Sequence, residues 1–274
     1  MRKIFGFVLC LSVALFSAAT LSSCGSDDED DVEKATAGGG KSEAGDDEGK
    51  GDDGKGDAGK GEDGDDSGKG DDGSGDKQYT HAVVDLGLPS GLLWATCNVG
   101  ASTPYEDGDY FAWGETEPKS DYSWSTYKWC KGLGSTITKY CDSSSYGYNG
   151  FTDDKTVLDA EDDAATANWG AGYRMPTYAE FCELKTTCTW TWDSSHNGYT
   201  VTGKNGNSIF LPASGNHYGS SLIAHGSYGY YWSATLYSGA AFHAYFFYFD
   251  SGYHYLYFDY YRYRGQTVRP VADK

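Results

Sequence analysis

From residue 237 to residue 264 the chain contains no Lys, Glu, Gln, Met or Trp. At average composition the chance of that joint absence over such a span is on the order of a few per cent or less. These five are the amino acids that no codon ending in C encodes. No cysteine follows Cys188, which excludes a thiolate metal site in the last third of the chain. The 6 histidines are scattered without metal-ligand spacing, and His217, His225, His243 and His254 read as surface or pocket polar groups. Residues 25–78 have scarcely an apolar side chain, so that stretch cannot bury enough surface to offset the entropy of ordering it. Lys and Arg number 21 against 40 Asp and Glu, a formal net charge of −19, and no nucleic-acid partner is expected of such a chain.

What is present begins with an export signal. Arg2 and Lys3 precede an apolar run over residues 4–16, too short to span a bilayer, and small residues follow it. Leu21-Ser22-Ser23-Cys24 resembles the bacterial lipobox, in which the cysteine is acylated and becomes the first residue of the mature protein. The next residues, Gly25-Ser26-Asp27-Asp28-Glu29-Asp30, look like the acidic export signal of Bacteroidetes surface lipoproteins. These resemblances imply a signal peptide over 1–23 and a lipid anchor at Cys24 in the outer membrane, facing the cell exterior. Residues 24–78, rich in Gly, Asp and Lys, read as a disordered tether. With about 20 acids and about 7 bases it carries about −13 of the charge, so most of the acidity is not the domain's. A self-repelling, Gly-rich segment of this length reaches several tens of ångströms. Its Asp-Gly runs are solvated charge rather than a calcium loop, because Ser74 stands where an EF-hand would place its bidentate Glu.

Residues 79–274 make one domain's length. Val83-Val84-Asp85, the Pro89-Ser90-Gly91 turn and Leu92-Leu93-Trp94-Ala95 read as a hairpin, and Tyr110-Phe111-Ala112-Trp113 as a further short strand. Asp159 is placed to cap a helix running to Trp169, with acids over its first turn and Gly170 and Gly172 ending it. Thr177-Tyr178-Ala179-Glu180, after Pro176, is a capping box for a second helix with Phe181 and Leu184 turned inward. Strands follow at 190–192, 199–202 and 208–211, then a Tyr-rich hairpin, then Thr267-Val268-Arg269-Pro270-Val271. A hairpin, two helices and then many strands predict an α+β fold.

Gly172-Tyr173-Arg174-Met175-Pro176-Thr177, with Glu180, Phe181 and Leu184 after it, resembles the signature of the formylglycine-generating, sulfatase-modifying fold, a branch of the C-type lectin-like folds. Tyr230-Tyr231-Trp232-Ser233-Ala234-Thr235, the closing Gly265-Gln266-Thr267-Val268-Arg269-Pro270-Val271 and the opening hairpin look like the Fibrobacter succinogenes major paralogous domain of Bacteroidetes lipoproteins. The resemblance covers nearly all of residues 79–272. It implies a single C-type lectin-like domain with two helices and many short antiparallel strands. It does not bring the enzyme's activity, because those enzymes hold copper with a late pair of cysteines that this chain lacks. No catalytic residue, metal or cofactor is therefore expected. The lectin calcium motifs have only faint counterparts in Glu117-Pro118-Lys119 and Trp232-Ser233-Ala234. Five cysteines, Cys97, Cys130, Cys141, Cys182 and Cys188, lie in the domain. Cys130 with Cys141 and Cys182 with Cys188 are possible disulfides, and buried free thiols are the equal alternative. Glu106, Asp107 and Asp109 read as a solvated turn, and Arg174 and Arg269 as structural ties.

The hairpin places Phe242, Ala244, Phe246 and Tyr248 on one face and His243, Tyr245, Phe247 and Phe249 on the other. Both faces are aromatic, so one is either covered by another layer or used for binding. Residues 253–264 hold a single aliphatic residue, Leu256, and packing alone accounts poorly for so many rings. Tyrosine offers large contact area at little rotamer entropy, which suits a recognition surface. The missing amino acids are what adenine-directed mutagenesis of AAC codons leaves, and the stretch resembles the variable segment of C-type lectin-like proteins diversified by retroelements. That resemblance implies ligand contacts at Tyr237, His243, Tyr245, Phe247, Asp250, Tyr253, His254, Tyr255, Tyr257, Phe258, Asp259, Tyr260, Tyr261, Tyr263 and Arg264. The expected function is non-covalent binding of a protein or glycan at the cell surface, with Asp250, Asp259, Arg262 and Arg264 setting polarity. The rival classes are an enzyme, with Glu106, Asp107, Asp109 and Glu115 as its acids, and a structural subunit with an exposed strand edge.

Overall fold

The computed structural model describes residues 79–274, the side chains of 256–259 excepted. The signal at 1–23, Cys24 and the tether at 24–78 lie outside the described residues. The domain opens with β1 (Val83–Asp85) and β2 (Leu93–Ala95), antiparallel with Val83 opposite Ala95, as the intervening Pro-Ser-Gly turn leads one to expect. After β3 (Tyr110–Phe111) the chain runs through turns to α1 (Ala164–Trp169). The cap of α1 is Asp163, whose carboxylate accepts from the Thr166 amide at 3.0 Å; Asp159, the expected cap, instead precedes a separate 3-10 turn at Ala160–Asp162. Asp163 also accepts from the Met175 amide at 2.8 Å. That tie to the segment entering the second helix decides which of several successive acids becomes the cap.

The second helix, α2 (Tyr178–Thr187), begins at the expected capping box, with Thr177 and Glu180 satisfying each other's backbone amides. Its Phe181 and Leu184 are fully buried. Strands follow: β4 (Thr189–Asp193), β5 (Gly198–Thr202), β6 (Ser208–Pro212), β7 (Asn216–Tyr218), β8 (Ser221–Ile223), β9 (Gly229–Leu236), β10 (His243–Phe249), β11 (His254–Tyr261), β12 (Gln266–Thr267) and β13 (Val271–Ala272). They form a five-stranded sheet in the order β11-β10-β9-β12-β3, two three-stranded sheets, β1-β2-β13 and β4-β5-β6, and the hairpin β7-β8. Only β9 and β12 pair in parallel; the other pairings of named strands are antiparallel. No helix among the described residues is long and apolar enough to cross a membrane.

The five-stranded sheet is covered on both faces. Neighbouring residues of a strand point to opposite sides, and Phe247 and Phe249 enter one core with Trp94, Phe181, Leu184 and Tyr231, while Ala244 and Phe246 enter another with Trp113, Tyr230 and Trp232. The expected division holds for Ala244 and Phe246 against Phe247 and Phe249, and a second packed layer explains why both faces are aromatic; Phe242, expected beside Ala244 and Phe246, instead packs with Tyr127, Ala241 and Tyr263. The Phe247 ring stacks on Phe181 at 5.2 Å with 4° between planes. Full burial of such a ring contributes about 1.5–3 kcal/mol. Gly229 lies opposite Phe249 in the register, and a Cβ there would come within 2.1 Å of the Phe249 ring. Only glycine lets that ring lie across β9.

Two arginines tie the ends of the domain together, as expected. Arg269 is fully buried and donates from Nε to Asn98 Oδ1 at 2.8 Å and from Nη1 to the Ala95 and Thr96 carbonyls. Arg174 pairs with Glu180 at 2.6 Å and with Asp273 at 3.3 Å. Cys130, Cys141 and Cys188 carry no disulfide, so neither the Cys130–Cys141 nor the Cys182–Cys188 pairing is formed. Cys130 Sγ donates to the Trp124 carbonyl and Cys141 Sγ to the Ser143 carbonyl, and burial pushes the Cys188 thiol up to about 11, so these three are not set up as nucleophiles.

Candidate ligand-binding face

The hairpin of β10 and β11 has two ends. At its mouth His243 stands opposite Tyr261, and at its tip Phe249 stands opposite His254. The 7 residues of β10, at about 3.3 Å of rise each, separate these ends by about 20 Å. Extra residues in β9 and β11 opposite Tyr245 interrupt the ladder between them, and such bulges bend a strand and re-aim its side chains.

At the mouth, rings from distant parts of the chain adjoin one another. The Arg264 guanidinium lies 3.8 Å from the Tyr218 ring centroid, a stacked cation–π contact. Tyr263 stands 4.8 Å from Trp124 and stacks on Tyr261 at 5.5 Å. Tyr261 reaches Phe242 at 6.1 Å and His243 at 4.7 Å, and Phe242 meets Tyr146 at 4.8 Å. From His243 the series continues through Tyr237 to Tyr245 and ends where Tyr245 meets Tyr178 of α2 at 4.3 Å. Tyr218 is 52% and Tyr261 41% exposed, so the belt meets solvent without being a loose fringe. Burial pushes the His243 imidazole down to about 4, which keeps it neutral near neutral pH.

The tip is a smaller group. Tyr253 is 61% exposed and stacks on Tyr255 at 5.6 Å, with Lys185 Nζ 5.6 Å from the Tyr255 ring. His254 lies flat on Trp190 at 4.7 Å. Asp250 accepts from the amides of Gly252 and Tyr253, which shapes the turn.

The positions picked from sequence thus divide. Tyr237, His243, Tyr245, Tyr261 and Arg264 sit at the mouth, and Asp250, Tyr253, His254 and Tyr255 at the tip. Tyr260 packs inward against Tyr230 and Phe246. Phe247 and Tyr263 are buried and offer a ligand little or nothing directly. The side chains of Tyr257, Phe258 and Asp259 lie outside the described residues. Arg262, expected to set surface polarity, is instead fully buried. It donates to the Tyr127 hydroxyl and to the carbonyls of Tyr140, Ala241 and Lys139 at 2.7–3.0 Å, and its guanidinium lies 4.7 Å from the Trp113 ring. A planar fork with five donors suits such a convergence of carbonyls.

Sequence reasoning missed Trp124, Tyr146, Tyr178, Tyr218 and Phe242 as site residues. The available signal was the run of Trp124, Tyr127 and Trp129 in a segment with no strand alternation, which leaves rings without a local face to fill.

The acids behave as structural groups. Glu106 accepts from the amides of Ser102 and Thr103, which holds its carboxyl below the usual range. Asp107 pairs with His225 at 2.8 Å, and buried Glu115 pairs with Lys119 and accepts from the Lys128 amide. Asp159, Glu161 and Asp162 converge as metal ligands would, but Lys139 Nζ stands among them at 3.0, 3.1 and 2.6 Å. A protein cation already fills that position.

The described residues therefore define an aromatic-faced domain of mostly antiparallel sheets with two helices. In comparison with known families, residues 183–271 match the family described as Domain of unknown function (DUF8237), a match that takes in the whole β10–β11 hairpin and β12. No curated protein and no solved structure matches the chain.

Proposed function

We propose that this chain is a lipid-anchored outer-membrane protein whose C-type lectin-like domain binds a protein or glycan at the cell surface through the aromatic mouth of the β10–β11 hairpin. The observation that carries the reading is the unbroken series of ring contacts from Tyr218 and Arg264 to Tyr245 and Tyr178. Partly exposed, mutually packed rings give a ligand rigid contact area at low entropic cost. Cys24 acylation supplies the anchor and residues 24–78 the tether. The composition of residues 237–264 supports diversification by a retroelement, with substitutions falling on the exposed mouth and tip positions and sparing Phe247 and Arg262.

The test is to sequence the 3′ end of the gene in many isolates. Adenine-site substitutions confined to exposed positions support a diversified receptor; an invariant stretch leaves a binder of fixed specificity, to be sought on glycan and surface-protein arrays. Substitutions at Arg262 as frequent as at Tyr261 would contradict the assignment of these sites. A second reading, self-association, is favoured by one observation: β11 is the outer strand of its sheet, and an outer strand is a template for pairing with another chain. Sedimentation of the full chain as a concentration-independent monomer would remove it.

A further inference from the structure

We infer that the slot bounded by Trp124, Gly134, Ser135, Tyr146, Phe242 and Tyr261 receives one aromatic side chain of a protein partner, an inference that rests on the binding role proposed for this face. The slot has a volume of about 230 Å³. A cavity of about 150 Å³ holds a benzene ring, so the slot has room for one phenol, indole or sugar ring and the lining must choose among them. Its walls are rings set nearly at right angles, Tyr146 against Phe242 at 78° and Trp124 against Tyr261 at 82°. An entering ring thus meets both faces and edges, the arrangement in which aromatic groups attract.

The chemistry of the lining chooses between a ring and a sugar. The six side chains include no carboxylate, carboxamide or guanidinium group, and their polar groups are hydroxyls and one indole N–H. A sugar entering this slot would surrender water from several hydroxyls without charged or amide partners to replace it. An aromatic side chain gives up little. The walls are also fixed beforehand, since Trp124 is held against Tyr127 at 5.6 Å and Tyr263 at 4.8 Å, and a preformed slot spares the ligand the loss of ordering it. Four of the lining residues lie outside 237–264, so the slot belongs mostly to the framework and only Phe242 and Tyr261 to the segment that would vary.

Gly134 supplies the means of closing it. A Cβ at this position would stand 3.0 Å from Trp124 Cζ2 and 3.2 Å from Phe242 Cβ, so both walls must give by a few tenths of an ångström, and its φ lies outside the left-handed region; Gly134→Val therefore narrows the slot without demanding a left-handed backbone. The experiment titrates the full chain with p-cresol, indole and methyl β-glucoside while following the Trp124 indole N–H signal by NMR. p-Cresol and indole should shift it saturably, Gly134→Val should weaken both at least tenfold, and the glucoside should leave it unmoved. Should Gly134→Val not fold, Tyr261→Ala, which alters a partly exposed ring, should weaken p-cresol binding by a similar factor. A glucoside that shifts the signal more tightly than p-cresol, or p-cresol binding indifferent to these substitutions, overturns the assignment. If a macromolecular ligand found on arrays is weakened by Tyr237→Ala and not by Gly134→Val, the slot fails while the binding face stands. If p-cresol saturates the slot and no macromolecule depends on Tyr237, Tyr245 or Tyr261, the face fails instead.

Discussion

Arg262 and Arg264 leave the same end of β11 two positions apart and meet opposite surroundings. Arg262 turns into the protein and binds the carbonyls of Lys139, Tyr140 and Ala241; Arg264 lies partly exposed, stacked on Tyr218. The same contrast separates the regions they serve. Around Arg262 the Lys139 and Tyr140 carbonyls and the Tyr127 hydroxyl are fastened to the sheet, and beside that fastened base stand Trp124, Tyr146, Phe242 and Tyr261. An aromatic surface of this kind is an outgrowth of a polar anchor one residue away from it, so rigidity and display come from neighbouring positions of one strand.

The largest effect that should separate the two regions is Arg262→Ala. It leaves several buried carbonyls and the Tyr127 hydroxyl without their donor and opens a cavity, and a loss of about 3 kcal/mol or more is expected in urea unfolding. Arg264→Ala should cost about 1 kcal/mol or less, the size of one cation–π contact. Equal losses would erase the distinction. Next, Gly229→Ala drives a methyl into the Phe249 ring and should destabilise by about 1–3 kcal/mol, far from the mouth and without altering its rings.

A pH series sharpens the comparison further. His243 at the mouth is held near pKa 4 by burial, against an ordinary value of 6.5, and burial lowers His217 and His254 too. Below pH 6.5 the unfolded chain takes up a proton that folded His243 refuses until about pH 4, so its contribution is fully present above pH 6.5 and is lost progressively as pH falls to about 4. His243→Phe should flatten part of that decline between pH 6.5 and 4.5 in thermal melts; an unchanged slope would mean that the imidazole is more hydrated than the packing implies. Smallest of all, Tyr253→Ala at the exposed tip should shift stability by about 0.5 kcal/mol or less, measured in the same urea series.

Local chemistry was readable in the sequence. The capping box at Thr177 and Glu180, the opening hairpin and the alternation along β10 all depend on residues within a few positions of one another, and each stands as expected. The cap of α1 was misplaced by four residues because Asp159, Glu161, Asp162 and Asp163 are alike locally, and only the Met175 amide, 12 positions on, selects Asp163. Arg262 reads as surface from the sequence for a related reason: its acceptors lie 21 to 135 positions away. Half of the mouth was invisible on the same grounds, since Trp124 and Tyr146 meet Tyr261 and Phe242 only through the tertiary fold. Aromatic richness marked the region; which rings face water is set by the layers that close over β10.

The pairing of β13 with β2 has a consequence in time. Val271 lies opposite Trp94, and Arg269 reaches the Ala95 carbonyl across 174 positions of sequence. Closing a loop of that length costs about 5 kcal/mol of chain entropy before any contact offsets it, and topologies ruled by such distant pairings fold slowly. A folding chain can therefore make the local hairpin and its rings before it shuts the sheet that holds the first strands. For that interval the aromatic residues are present without a finished scaffold, and β13 acts as the latch.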